Sequence, residues 1–147
     1  MENKRMREAL ILAKMAADNG EVPVGCVIYK DGELIAKSHN ETIKRNNPCA
    51  HAECIAIEKA FEKTGAYRLD DCEMYVTLEP CPMCAGAIAL ARLKRVYFGA
   101  YDKEKGAFGG KIDITSDINM KTEIYGGICE KECSEILKSF FRKSIDK

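Results

Sequence analysis

The sequence lacks an excess of charge of either sign, and it lacks any long apolar run. Its 147 residues include 23 basic and 23 acidic side chains, so the formal net charge is zero. This balance argues against a protein that coats DNA or RNA, although one short RNA loop needs only a local basic patch. No apolar run approaches the roughly 20 residues of a transmembrane helix, so we expect no membrane partner. The opening stretch MENKRMREAL has no following apolar region typical of a signal peptide, so we expect a cytoplasmic protein.

The remaining composition is that of a globular protein, with 46% hydrophobic and 31% charged residues. This length is most simply one domain, 1–147, with a sizeable core. The chain has eight cysteines, and in a reducing cytoplasm we do not expect them to form disulfides. Outside one Cys-x-x-Cys pair, we interpret all of them except Cys49 as small core side chains.

Hydrophobic periodicity predicts four helices and five strands. The helices are predicted at 6–19, 51–63, 82–91 and 130–144, and the strands at 24–30, 33–39, 73–78, 95–100 and 122–126. Asp31-Gly32 predicts a hairpin between the first two strands. The stretch at 102–113, DKEKGAFGGKID, is predicted to be a mobile loop. The order of elements predicts an α/β fold, a three-layer α/β/α sandwich around a five-stranded mixed sheet.

The candidate chemistry lies in two short stretches, NPCAHAEC and LEPCPMCAGA. Pro82 suits the first position of a helix, which predicts Cys81 and Cys84 on one face of its opening turn. The helix dipole favours thiolates there, and the thiolate is the form that binds metal. His51 begins the preceding helix and is the candidate third ligand. Two thiolates and one imidazole fit Zn²⁺ and leave one tetrahedral position for water.

Glu53 follows His51 by two residues, close to the predicted metal but not needed as a ligand. Zinc lowers the pKa of its water to about 7, and a nearby carboxylate can pass a proton from this water to a substrate. The combined pattern His-x-Glu … Pro-Cys-x-x-Cys is typical of zinc nucleobase deaminases. We therefore predict a catalytic site with one Zn²⁺ per chain and Glu53 as the proton shuttle.

A structural zinc-binding module is the alternative from another class. Cys49 lies two residues before His51 and could fill the fourth coordination position, which would make the site closed and inert. Such a site does not explain Glu53, and a core of this size needs no metal to fold. The catalytic interpretation is therefore favoured.

Several stretches spread over nearly the whole chain are typical of one family. They are GEVPVG, AHAE, YVTLEPC, MCAGAI, RVYFGAYD, KGAFGG and the terminal FFR. In these stretches the chain resembles the bacterial tRNA-specific adenosine deaminases of the cytidine deaminase superfamily. The resemblance implies a cytidine deaminase-like fold and a zinc-containing homodimer that converts adenosine to inosine at the wobble position of a tRNA anticodon loop.

The resemblance also implies roles for residues outside the zinc site. Asn40 is expected to contact the flipped nucleoside, and Val24 and Ala52 to line its pocket. Arg142, on the last helix beside aromatic residues, is expected to contact the tRNA. The small, apolar helix segment AGAIALA (85–91) is the candidate dimer contact.

Three positions depart from the family pattern. Asn47-Pro48-Cys49 stands where Asp-Pro-Thr is usual, Met120 follows Asn119 where histidine is frequent, and His39 stands where tryptophan is frequent. We expect each near the substrate path, so the departures bear on the substrate more than on the reaction type.

A deaminase acting on free guanine, cytosine or a nucleoside is the alternative enzyme, since guanine deaminases share EPCPMC. An RNA enzyme should instead present a basic and aromatic surface around its pocket. The candidate cations for that surface are Lys44, Arg45, Lys138, Arg142 and Lys143.

Overall fold

The computed structural model describes the backbone of residues 1–145 and the side chains of residues 1–143, so 146–147 of the predicted domain lie outside it. The element order agrees with the prediction from the sequence. The helices are α1 (Glu2–Asp18), α2 (Ala52–Thr64), α3 (Pro82–Ala91) and α4 (Glu130–Ile145). The strands are β1 (Gly25–Lys30), β2 (Glu33–His39), β3 (Cys72–Leu78), β4 (Arg95–Ala100) and β5 (Glu123–Tyr125).

The five strands form one mixed sheet in the order β2-β1-β3-β4-β5. The strand β1 is antiparallel to both β2 and β3, whereas β3, β4 and β5 run parallel. Asp31 and Gly32 both have positive φ, which is the tight hairpin conformation that matches strand twist. The predicted mixed sheet is confirmed.

Helices cover both faces of the sheet and give the predicted three layers. Side chains of α2 and α3 pack on one face around Ile28, Met74 and Phe98. Side chains of α1 and α4 pack on the other face around Val27 and Tyr75. Within the described residues, the helices are too short or too polar to cross a membrane.

The first helix differs most from the sequence prediction. It begins at Glu2, four residues before the predicted start at Met6. The early turn is stabilised by long-range contacts, because Arg5 is buried and its guanidinium lies 3.6 Å from the Glu73 carboxylate. Leu12 belongs to the buried stripe of this helix, and Leu10 is half-buried against the same core.

The fold brings two helix N-termini together. Strand β3 ends at Leu78, and the chain turns through Glu79 and Pro80 directly into α3. Helix α2 packs against α3 on the same face of the sheet. The residues that begin these helices therefore meet beside the carboxyl end of β3.

Candidate active site

His51 and Glu53 lie at the start of α2. His51 is the N-cap residue, with extended backbone (φ −78°, ψ 150°), so its side chain projects from the helix end. Glu53 lies on the first turn and is only 4% exposed. A carboxylate in the first turn of a helix faces the positive end of the helix dipole.

Cys81 and Cys84 lie at the start of α3, as the position of Pro82 predicts. Cys81 is the N-cap residue and Pro82 occupies the first helical position. Cys84 is fully buried, whereas Cys81 is half-buried and lines a cleft. The two thiols therefore lie on one face of the opening turn.

The three predicted ligands lie together. His51 Nδ1 is 3.6 Å from Cys81 Sγ and 3.5 Å from Cys84 Sγ. Zinc held tetrahedrally at typical Zn–N and Zn–S lengths separates nitrogen from sulfur by about 3.5–3.6 Å. The ligand atoms of the three residues all lie within 4.8 Å of one another. This donor set and spacing fit a zinc ion.

The electrostatics of Cys81 also suit metal binding, whereas hydrogen bonds with Cys54 and Cys81, together with burial, raise the pKa of Cys84. A hydrogen bond from the Cys84 thiol, aided by His51, lowers the pKa of Cys81 to about 3. The hydrogen bond to Cys81 in turn raises the pKa of His51. Cys81 is therefore a thiolate at neutral pH, which is the metal-binding form.

Two other cysteines near this site are not part of the ligand group. Cys49 is exposed and lies outside the group formed within the described residues. Cys54 Sγ lies 3.7 Å from Cys84 Sγ but is also outside the group. The closed site that Cys49 would complete is therefore not formed in this structure.

Glu53 is buried beside the ligands without belonging to their group. Burial raises the pKa of its carboxyl to about 7, although the nearby His51 opposes this. A carboxyl group with a pKa near the working pH both accepts and donates protons readily.

A cleft of about 1090 Å³ lies beside the predicted metal site. It is lined by His51, Glu53 and Cys81, and also by the predicted substrate residues Asn40, Val24, Ala52 and Arg142. Asn40 is 6% exposed, and its Oδ1 atom has no hydrogen-bond partner within the described residues. An unpaired buried acceptor beside a cleft is a feature of a ligand site.

The three departures from the family pattern do not line this cleft. As far as residues 1–143 define its wall, neither His39, Cys49 nor Met120 contributes. Met120 is half-buried against the core, and the N–H of Cys49 donates to Asn47 Oδ1 in an exposed turn. The expectation that these positions lie near the substrate path therefore stays a prediction for the surface outside the cleft.

Helix α4 contributes a basic and aromatic part of the cleft rim. Lys138, Phe141 and Arg142 line the cleft, and Phe141 is 48% exposed. Lys143 is exposed but lies outside the lining. Among the candidate cations between β2 and α2, Arg45 forms an ion pair with Glu41, and its Nε atom lies 2.8 Å from Glu41 Oε1.

Sequence reasoning missed a loop that lines the same cleft. The rim loop, residues 102–113, places Lys103 and Lys105 at the cleft. It was predicted to be mobile, but Ala107 and Phe108 are buried and three of its amides bind Glu79. The signal in the sequence was the acidic residue in LEPC, directly after a buried strand.

Comparison with known proteins gives the family. The sequence matches the MafB19-like deaminase family over residues 1–144. It is 42% identical over 140 residues to the tRNA-specific adenosine deaminase of Bacillus subtilis (strain 168), covering 94% of this chain and 87% of that protein.

Solved structures agree with this match. A structure from a study of A-to-I editing by tRNA:A34 deaminases at the wobble position of transfer RNA is 42% identical, with a TM-score of 0.88, and covers 91% of this chain and 99% of the other. The guanine deaminase from Bacillus subtilis is 38% identical, with a TM-score of 0.64 over 74% of this chain and 80% of the other. The match to the tRNA deaminase structure is the more extensive and the closer in backbone. The chain therefore belongs to the MafB19-like deaminases and, among them, to the family of tRNA-specific adenosine deaminases.

Proposed function

We propose that this protein hydrolyses the amino group of adenosine in a tRNA anticodon loop, at the wobble position, to give inosine and ammonia. The observation that carries the proposal is the pairing of three ligand atoms with a buried carboxyl outside the ligand group, beside an open cleft that His51, Cys81 and Glu53 line. The basic and aromatic rim supports RNA over a free base as the substrate.

His51, Cys81 and Cys84 would hold one Zn²⁺ per chain through Nδ1 and two sulfur atoms. When bound, zinc supplies a nucleophile at neutral pH, because it lowers the pKa of water to about 7. Three protein ligands suit this role, since a fourth would close the site.

Glu53 is the proposed general acid and base. Its carboxylate takes both protons of the attacking water in turn, and delivers the first to the adenine ring and the second to the departing amino group. The same carboxyl can both take up and release a proton, because burial keeps its two protonation states close in energy.

Asn40, Val24 and Ala52 would position the everted nucleoside. Asn40 Oδ1 is free to accept a hydrogen bond from an N–H or hydroxyl group of the substrate. Val24 and Ala52 are apolar and line the cleft, so they suit the faces of a flat base.

The substrate class is tested by incubating the protein separately with an anticodon stem-loop, guanine and cytidine. We expect inosine to form in the stem-loop and neither small molecule to be turned over well. Efficient turnover of guanine or cytidine, with an untouched stem-loop, would establish the small-molecule deaminase instead. An RNA substrate also agrees with the cytoplasmic location expected from the sequence.

Arg142→Ala should weaken stem-loop processing because it removes the proposed contact between this guanidinium, which lines the cleft, and a phosphate of the RNA. We expect kcat/KM to fall roughly tenfold, about 1.4 kcal/mol, with unchanged zinc content. Processing should also fall as salt rises, and the variant should lower the salt slope by about one. Lys143→Ala is the matched control, since this neighbouring cation lies outside the cleft lining. Equal effects of the two substitutions would remove Arg142 from the RNA contact.

A homodimer is proposed through the outer face of α3. Leu90 is 85% exposed and Met83 39% exposed there, with the small residues Gly86 and Ala87 between them. Such a face permits close helix packing against a second copy, and the family resemblance supports the same assembly.

Leu90→Glu should convert the dimer to a monomer, because it places an unpaired carboxylate in the proposed interface. Sedimentation at micromolar concentration measures the change. Ile11→Glu on α1, which alters an equally apolar side chain that is 66% exposed, should leave the dimer intact. A wild-type monomer, or a dimer insensitive to Leu90→Glu, would contradict the proposed interface.

A further inference from the structure

We infer that Glu79 is a positioning residue for RNA: its buried carboxylate holds the rim loop in place and thereby presents the loop lysines to the substrate. The inference rests on the proposed function for the identity of the substrate. It assigns to Glu79 a role in binding, through the loop, and none in the chemical step.

The carboxylate of Glu79 is surrounded by amides of the rim loop. Its Oε1 atom accepts the N–H of Asp102 at 2.9 Å. Its Oε2 atom accepts the N–H groups of Phe108 at 2.8 Å and Gly110 at 2.9 Å. Glu79 is 2% exposed, and hydrogen bonds to an ionised acceptor are about twice as strong as neutral ones. The Glu79 side chain therefore holds both ends of the nine-residue segment 102–110 by hydrogen bonds.

The backbone of the loop is fitted closely around this carboxylate. A Cβ atom added at Gly106 or Gly110 would overlap the Glu79 carboxylate and the carbonyl oxygen of Asp102. The N–H of Ala107 also donates to the carbonyl oxygen of Pro80 at 3.0 Å. Gly106 and Gly110 of KGAFGG are thus explained by close approach of backbone to a charged group.

The segment 102–110, which Glu79 holds, contains two of the cations that line the cleft. Lys103 and Lys105 are exposed, and both line the cleft together with Lys138 and Arg142 of α4. Asp102 Oδ1 accepts the N–H groups of Glu104 and Lys105, which extends the ordered turn to these lysines. A loop that is already ordered loses less conformational freedom when RNA binds. Glu79 should therefore raise RNA affinity without touching the RNA.

The attachment of the rim loop to Glu79 is tested without RNA, by hydrogen exchange on the zinc-loaded protein. Glutamine at position 79 offers one acceptor oxygen and turns an amide group toward N–H donors. In Glu79→Gln the amides of Asp102, Phe108 and Gly110 should exchange at least tenfold faster, with unchanged zinc content. Glu33→Gln, which makes the same change on exposed β2, should not alter them. Unchanged exchange in Glu79→Gln would overturn the inference.

The consequence for binding is tested by a double-mutant cycle with a labelled anticodon stem-loop, in a Glu53→Gln background that slows turnover by roughly 10²–10⁴-fold. Lys103→Ala with Lys105→Ala should weaken binding about tenfold when Glu79 is present and less than about twofold in Glu79→Gln. With Glu53 restored, Glu79→Gln should raise KM while kcat stays within about threefold. Additive costs, or an unchanged KM with a lowered kcat, would show that Glu79 does not act through the loop lysines.

A loop-side variant covers the case in which Glu79→Gln does not fold. Gly110→Ala forces the loop off the same carboxylate and leaves the Glu79–Cys81 segment untouched. It should reproduce both the faster exchange and the lost lysine contribution, and normal values for both would overturn the inference. If the stem-loop does not bind the parent enzyme, the proposed function fails. The exchange experiment still decides whether Glu79 holds the rim loop in place.

Discussion

Glu53→Gln is expected to lower turnover of an anticodon stem-loop by roughly 10²–10⁴-fold while zinc stays at one per chain. A positioned general acid or base contributes about that factor, and Glu53 is proposed to serve as both. Glutamine keeps the volume of the buried side chain but cannot exchange a proton. Metal analysis and single-turnover kinetics on the same preparation measure the two quantities.

Glu58→Gln is the matched control for this change. Glu58 lies on the same helix but is exposed, so its substitution should alter neither zinc nor turnover. Loss of zinc from Glu53→Gln, together with activity, would show that Glu53 is a ligand. Near-normal turnover with full zinc would show that another group moves the proton.

The parts of the fold that the sequence predicted well are those set by local signals. Helix α3 has the predicted bounds because Pro82 fixes its first turn. The hairpin turn at Asp31-Gly32 was predictable because few residues adopt positive φ there. The start of α1 was missed because it depends on Arg5 meeting Glu73, which is 68 residues away in the chain and adjacent only in the fold.

The same distinction applies to the candidate site. His51, Cys81 and Cys84 were predictable as a group because each lies at or near a helix start and the residue types share one metal chemistry. The rim loop was missed because its polar sequence looks solvated. Its partner, Glu79, binds amides 23–31 residues further along the chain. The acidic residue in LEPC is a local signal, but it does not indicate which distant amides it binds, so Lys103 and Lys105 were not placed at the cleft.

Cys84→Ala is expected to weaken zinc binding by more than roughly 100-fold and to abolish turnover. Changes to groups that merely orient metal ligands already cost about 10–100-fold in affinity, so loss of a ligand should cost more. Cys84 Sγ lies 3.5 Å from His51 Nδ1, at the separation a shared zinc ion requires. Competition with a chromophoric chelator measures the affinity directly.

Cys54→Ala and Cys49→Ala separate the proposed three-residue site from its alternatives. Cys54 is the stricter control, because its sulfur lies 3.7 Å from Cys84 Sγ yet outside the ligand group. Both variants should keep zinc affinity within a few-fold of the parent and remain active. If Cys49→Ala released zinc as readily as Cys84→Ala, the site would hold four protein ligands and lack the open position that hydrolysis needs. The protein would then be a zinc-stabilised binding module, and its buried Glu53 would need another explanation.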